Sequence, residues 1–189
     1  MAYFGWTAKL RIQATWKGRV MALKDVLQQF LNDVKWKDEI KHADNENTDF
    51  ISVGYEIGGQ SYRLLVITDE KFKTLAALLT SPIRIPTPRA KEATFVLNFL
   101  NVHLRCGHFE MGENGEVFFN WVIDTDGTAA APKQIGSLIS AAAASFSEQN
   151  CTAIGAAAFS KQSAEDIIEE LKQAWQKPKE KTNEAPSAL

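Results

Sequence analysis

At 189 residues the chain fits one domain with short appendages, because domains commonly run to about 150 residues. With 45% hydrophobic, 10% aromatic and 23% charged residues, its composition is that of a globular protein and not of a disordered or fibrous one. The net charge of −2 gives no reason to expect nucleic acid as the main partner.

Residues 1–20 form a basic, aromatic extension. Lys9, Arg11, Lys17 and Arg19 stand there without an acid, beside Tyr3, Phe4, Trp6 and Trp16. Such an arm could bind a membrane surface or nucleic acid by charge and stacking. Its aromatics follow no helical stripe, which favours an extra strand on the core, or a stretch upstream of a shorter form beginning at Met21.

A first amphipathic helix starts at Val20, with Leu23, Leu27, Phe30, Leu31 and Val34 recurring every three or four residues. The polar stretch after it reads as a loop anchored by Trp36 and Ile40. Strict alternation then puts Ile51, Val53, Tyr55 and Ile57 on one face of a strand. Gly58 and Gly59 supply a tight hairpin, and QSYRLLVITD is the return strand. A third extended stretch, 72–85, runs into Pro82, Pro86 and Pro88, which suit an edge or an exit from a sheet.

Phe95, Phe99 and Val102, with Leu100 and Leu104 beside them, define a second helix ending at Gly107. HFEMGENGEVFFNWVIDTDG is a hairpin turning at GENG. Its second strand is apolar on both faces, with Val117, Phe119, Trp121 and Ile123 on one and Phe118 and Val122 flanking Asn120 on the other. Such a strand needs cover on both sides, from its own helices or from a partner. Ile135, Leu138, Ile139, Ala142 and Phe146 mark a helix with a small-residue surface. In a further helix Ser163 and Asp166 form a capping box, and Ile167, Ile168, Leu171 and Trp175 face inward. Residues 177–189 are polar and contain proline, as in a disordered tail.

The chemistry-bearing residues form no strong motif. Cys106 and Cys151 are far apart and lack CxxC spacing, so neither a disulfide scaffold nor a zinc knuckle is indicated. His103, Cys106, His108 and Glu110 are zinc-ligand types, yet their spacing matches no short metal motif and crosses from a helix end into a strand. They carry the alternative reading of a metal-dependent enzyme or regulator. Asp124 to Thr128 opens like a calcium loop, but its glycine falls fourth and its twelfth residue is Ile135. Asp69 and Glu70 read as a solvated turn. No GxSxG, HExxH or phosphate-loop sequence occurs, so no enzyme activity, metal or cofactor is expected. No apolar run approaches the roughly 18 residues of a membrane span, and the N-terminus has no signal-like h-region, so a cytoplasmic protein is expected.

The segment SPIRIPTPRAKEATFVLNFLNVHLRCGHFEMGENGEVFFNWVIDTDG resembles the YbjN family of bacterial sensory-transduction regulators. The resemblance rests on Pro86, Leu97-Asn98 with Asn101, Gly107-His108-Phe109, the GENG turn, and the strand Val117 to Asp124. It extends from Met21 to about Trp175, and departs from the family in the Ala-rich stretch after Gly127. The domain is accordingly 21–176. The resemblance implies an α+β fold like that of type III secretion chaperones, its antiparallel sheet packed by helices, and this agrees with the order α-β-β-β-α-β-β-α with a further helix that the residues themselves give. It also implies a module, commonly a homodimer, that holds a partner protein or peptide without catalysis. Phe95, Phe99, Phe118, Phe119 and Trp121 are then the candidate dimer or partner interface.

Overall fold

A computed structural model describes residues 21–43 and 47–176. The basic extension and the tail lie outside the described residues. Among the described residues the fold is α+β, with a six-stranded, wholly antiparallel sheet in the order β1-β2-β3-β4-β6-β5. Its strands are β1 (Lys41–His42), β2 (Thr48–Ile57), β3 (Gln60–Asp69), β4 (Thr74–Arg84), β5 (His108–Met111) and β6 (Glu116–Asp124). The helices are α1 (Leu23–Asp33), α2 (Ala90–His103), α3 (Pro132–Ser145), α4 (Glu148–Phe159) and α5 (Ala164–Gln176).

Helix α1 buries the predicted stripe of Leu23, Leu27, Phe30 and Leu31, together with Val26. Each such side chain contributes about 1.5–3 kcal/mol of burial free energy. Trp36 anchors the following segment by meeting the Phe30 ring edge-on at 5.8 Å, and Ile40 also packs against the core. The turn of the β2–β3 hairpin is Gly58-Gly59, both with positive φ, so its twist matches the flanking strands. Ser163 and Asp166 exchange backbone hydrogen bonds at the start of α5, as their spacing predicts.

Three local features differ from the sequence reading. The loop after α1 contributes the two-residue edge strand β1, too short to show a period of two. Helix α2 ends at His103, four residues before Gly107. Gly107 has φ +63° and turns the chain into β5, where an added Cβ would lie 2.3 Å from the Phe119 ring, so close approach fixes this glycine. The Ala-rich stretch is divided into α3 and α4, and the Ser147 hydroxyl caps α4 by accepting the Asn150 N–H at 3.3 Å.

The helices lie against one side of the sheet: α3 crosses β4 and β6, α1 packs on α3 and β3, and α4 reaches β4. Helix α2 packs on α4, α5 and the edge strand β5. The covered side is the core, where Leu64, Val66, Leu79, Ala77, Val117 and Phe119 meet the buried faces of the helices. Two clamps fix the outer elements. Asn101 on α2 donates to the Phe109 carbonyl at 3.0 Å and accepts the Phe109 N–H at 2.6 Å. Arg89 donates to the carbonyls of Ala157 and Gln162, tying the start of α2 to the end of α4.

Candidate functional site

Among the described residues no helix lies on the opposite side of the sheet. Strand register aligns Phe50 with Ile67, Ile67 with Ala76 and Ala76 with Val122, and next to them Leu65 with Leu78. These residues and Phe118 point away from the core, and all but the shielded Ala76 are partly or fully exposed. The result is an apolar band running across β2, β3, β4 and β6. A contiguous exposed apolar band of this size is unusual on a folded domain and is the candidate interaction surface.

At one end of the band Phe50, Leu65, Leu78 and Phe118 line a depression of about 290 Å³, together with Ser52, Thr80, Arg63 and Glu116. Arg84 donates to the Glu116 carboxylate at 2.8 Å, so that negative charge is already paired. At the β5 edge His108 and Glu110 meet at 2.7 Å, and the Asn120 amide donates to the same Glu110 oxygen at 3.0 Å. The other amide atom, Asn120 Oδ1, is buried with no hydrogen-bond partner among the described residues.

A second apolar surface lies on α2 and α5. Phe95, Phe99 and Val102 form a stripe at helical spacing, with Val102 80% and Phe95 54% exposed. Phe99 stacks on Trp175 at 5.6 Å, His103 sits against both rings, and Lys172 lies over the Phe99 face. Trp175 therefore faces this surface instead of the core.

The five sequence-predicted interface residues are distributed among three places. Phe95 and Phe99 are on the α2 stripe, and Phe118 is on the open face of the sheet. Phe119 is fully buried, meeting Phe109 edge-on at 5.6 Å, and Trp121 is half-buried against the core on the same helix-covered side. The strand expected to need cover on both faces thus receives it from its own helices on one face. Phe50, Leu65, Ile67 and Leu78 were missed as surface residues. Alternation within QSYRLLVITD and TLAALLT carried the signal, but both faces are apolar there and periodicity alone does not say which is covered.

The four residues of the metal alternative are separated by the same geometry. His103 Nδ1 bonds the Phe99 carbonyl at 2.8 Å on the helix layer, while His108 and Glu110 pair on the edge strand. Among the described residues no three His, Cys, Asp or Glu side chains are grouped to hold a metal ion. The Asp124 turn is a polar turn, its carboxylate accepting the Asp126 N–H at 2.7 Å. Cys106 and Cys151 are both free thiols. Cys151 lines a groove of about 660 Å³ between α4 and the β2–β3 hairpin, where its sulfur lies 3.4 Å from the Tyr62 hydroxyl. Burial, and then the bond and charge of Cys151, push the Tyr62 phenol well above its ordinary pKa.

The YbjN family model, described as "Putative bacterial sensory transduction regulator", matches residues 23–148. The chain belongs to the YbjN family. A crystal structure described as "YbjN, a putative transcription regulator from E. coli" is similar at 11% identity, covering 73% of this chain and 92% of that chain with a TM-score of 0.45. No curated protein matches the chain. The YbjN match includes the open face of the sheet and helix α2, and stops at the start of α4. Among the described residues no helix is long and apolar enough to cross a membrane.

Proposed function

We infer that this YbjN-family protein is a non-enzymatic, chaperone-like regulatory module of the cytoplasm that works as a homodimer and holds a segment of a partner polypeptide. The observation that carries the reading is the apolar band of Phe50, Leu65, Ile67, Leu78, Phe118 and Val122, which the other described residues leave open on an otherwise packed sheet. Binding there consists of burying apolar side chains on a preformed rigid surface, with little ordering cost on this side of the interface. The α2 stripe of Phe95, Phe99 and Val102 provides a separate surface for the second copy, so dimerisation and partner binding need not compete. The family description as a sensory transduction regulator agrees with a binding role.

The test measures mass by analytical ultracentrifugation and protein capture from native lysate on the same preparations. Phe95→Glu is expected to shift dimer to monomer, and Phe118→Asp to leave the mass unchanged while abolishing specific capture. A monomeric wild-type protein, or capture unaffected by Phe118→Asp, overturns the corresponding half of the reading.

A further inference from the structure

We propose that the partner segment is an extended, alternating apolar strand that carries a carboxylate, and that Arg63 recognises it. The proposal rests on the partner-binding reading of the open face and names the chemistry of what lies there.

Arg63 is on β3, opposite Gly54 on β2 and Thr80 on β4, so its side chain rises from the open face. It is exposed and lines the same depression as Phe50, Leu65, Leu78 and Phe118. Its guanidinium has no ion pair or hydrogen bond to another described residue. The other charged group lining the depression, Glu116, is paired with Arg84. Among the described residues that leaves one uncompensated positive charge at the rim of an apolar depression, with the hydroxyl residues Ser52 and Thr80 beside it. The acid nearest along β2 is Glu56, which lies toward the hairpin turn and does not line the depression.

An apolar floor with an unpaired guanidinium at its rim is complementary to apolar side chains followed by a carboxylate. Dimensions favour an extended segment. The floor crosses four strands, three spacings of about 4.8 Å, and three alternate side chains of one extended strand cover about 13 Å. A planar guanidinium accepts a carboxylate in bidentate fashion, which fixes the direction of the segment as well as adding affinity. A neutral or basic segment leaves Arg63 without a charged partner and, when basic, is repelled by it.

The test is an amide NMR titration of the full chain with capped octapeptides. These have valine, leucine and valine at positions one, three and five, threonine between them, and glutamate, glutamine or lysine at position seven. The glutamate peptide is expected to shift amides of β2, β3, β4 and β6, and to bind about three- to fivefold more tightly than the glutamine peptide, the size of a partly exposed ion pair. In Arg63→Gln that preference should vanish while the glutamine peptide binds as before, and in Arg63→Lys part of it should return. Equal binding of all three peptides to the open face overturns the carboxylate recognition and leaves the partner-binding reading standing. Shifts confined to α2 and α5, or none at all, overturn the extended-segment proposal, and the capture experiment with Phe118→Asp then decides the broader reading separately.

Discussion

Phe118 and Phe119 are neighbours on β6 with opposite roles: Phe119 is fully buried against Phe109, and Phe118 lies on the open face of the sheet. The strand's period of two separates them. Truncating Phe119 to Ala removes a core ring and is expected to cost about 3–5 kcal/mol. Phe118→Asp replaces a partly exposed side chain and is expected to cost under about 1 kcal/mol while removing the proposed partner binding. Urea unfolding of both variants checks the contrast. Similar losses in the two would show that β6 is not sided as described.

Asn101 acts as a missing piece of sheet for Phe109. Its amide gives and takes one hydrogen bond with the Phe109 backbone, joining α2 to the edge strand β5. Asn101→Ala leaves both backbone groups without that partner and is expected to destabilise by about 1–3 kcal/mol. Asn101→Asp keeps the acceptor for the Phe109 N–H but loses the donor to its carbonyl, and should fall between Ala and wild type above pH 5. Hydrogen exchange at the Phe109 amide reads the clamp directly. Protection that survives in Asn101→Ala would remove it from the account.

These two cases show what was legible in the chain. The helical stripe of α1, the Gly58-Gly59 hairpin and the Ser163–Asp166 cap were visible because each is a local pattern with one solution. Asn101 was visible only as part of a resemblance, since its partner is set by how α2 meets β5. The side of the sheet was not legible: Leu64-Leu65-Val66-Ile67 and Ala76-Ala77-Leu78-Leu79 are apolar at every position. Which half becomes surface depends on where α3 and α4 pack, and the Ala-rich sequence that forms them has weak periodicity. For the same reason Phe119 and Phe118 were grouped together as interface residues.

Glu70 links the start of α1 to the β3–β4 turn. Its carboxylate bonds Lys73 and accepts the Leu23 N–H at 2.8 Å, at the positive end of the helix. The bond from Lys73, then the bond from Leu23, hold its pKa below the ordinary carboxylate value. A lowered folded pKa contributes stability that is present above the unfolded value, near pH 4.3, and is lost as pH falls through the folded one. The side chain is 40% exposed, so solvent screening keeps the effect under about 1 kcal/mol. Glu70→Gln should therefore lower the melting temperature slightly at pH 7, with the gap to wild type closing below about pH 4. A gap that is constant from pH 7 to pH 3 would assign the loss to packing instead of charge.

Tyr62 supplies the opposite pH dependence. Its ring is buried against Phe146 at 5.0 Å and its hydroxyl meets the Cys151 sulfur, so the folded protein strongly favours the neutral phenol. A phenol pKa raised on folding contributes stability that is whole below the unfolded value, near pH 10, and drains away as pH rises toward the folded one. Wild type should lose stability steadily above about pH 10. Tyr62→Phe keeps the ring and removes the ionisable group, so its stability should fall less steeply over the same range. At pH 7 it should lie within about 1.5 kcal/mol of wild type, the net worth of one hydrogen bond. Cys151→Ser separates the two causes: it removes the sulfur contact but not the burial, so most of the alkaline slope should remain. Melting temperatures of the three proteins from pH 8 to pH 11 make the comparison, and identical slopes in wild type and Tyr62→Phe would show that another group controls the alkaline limb.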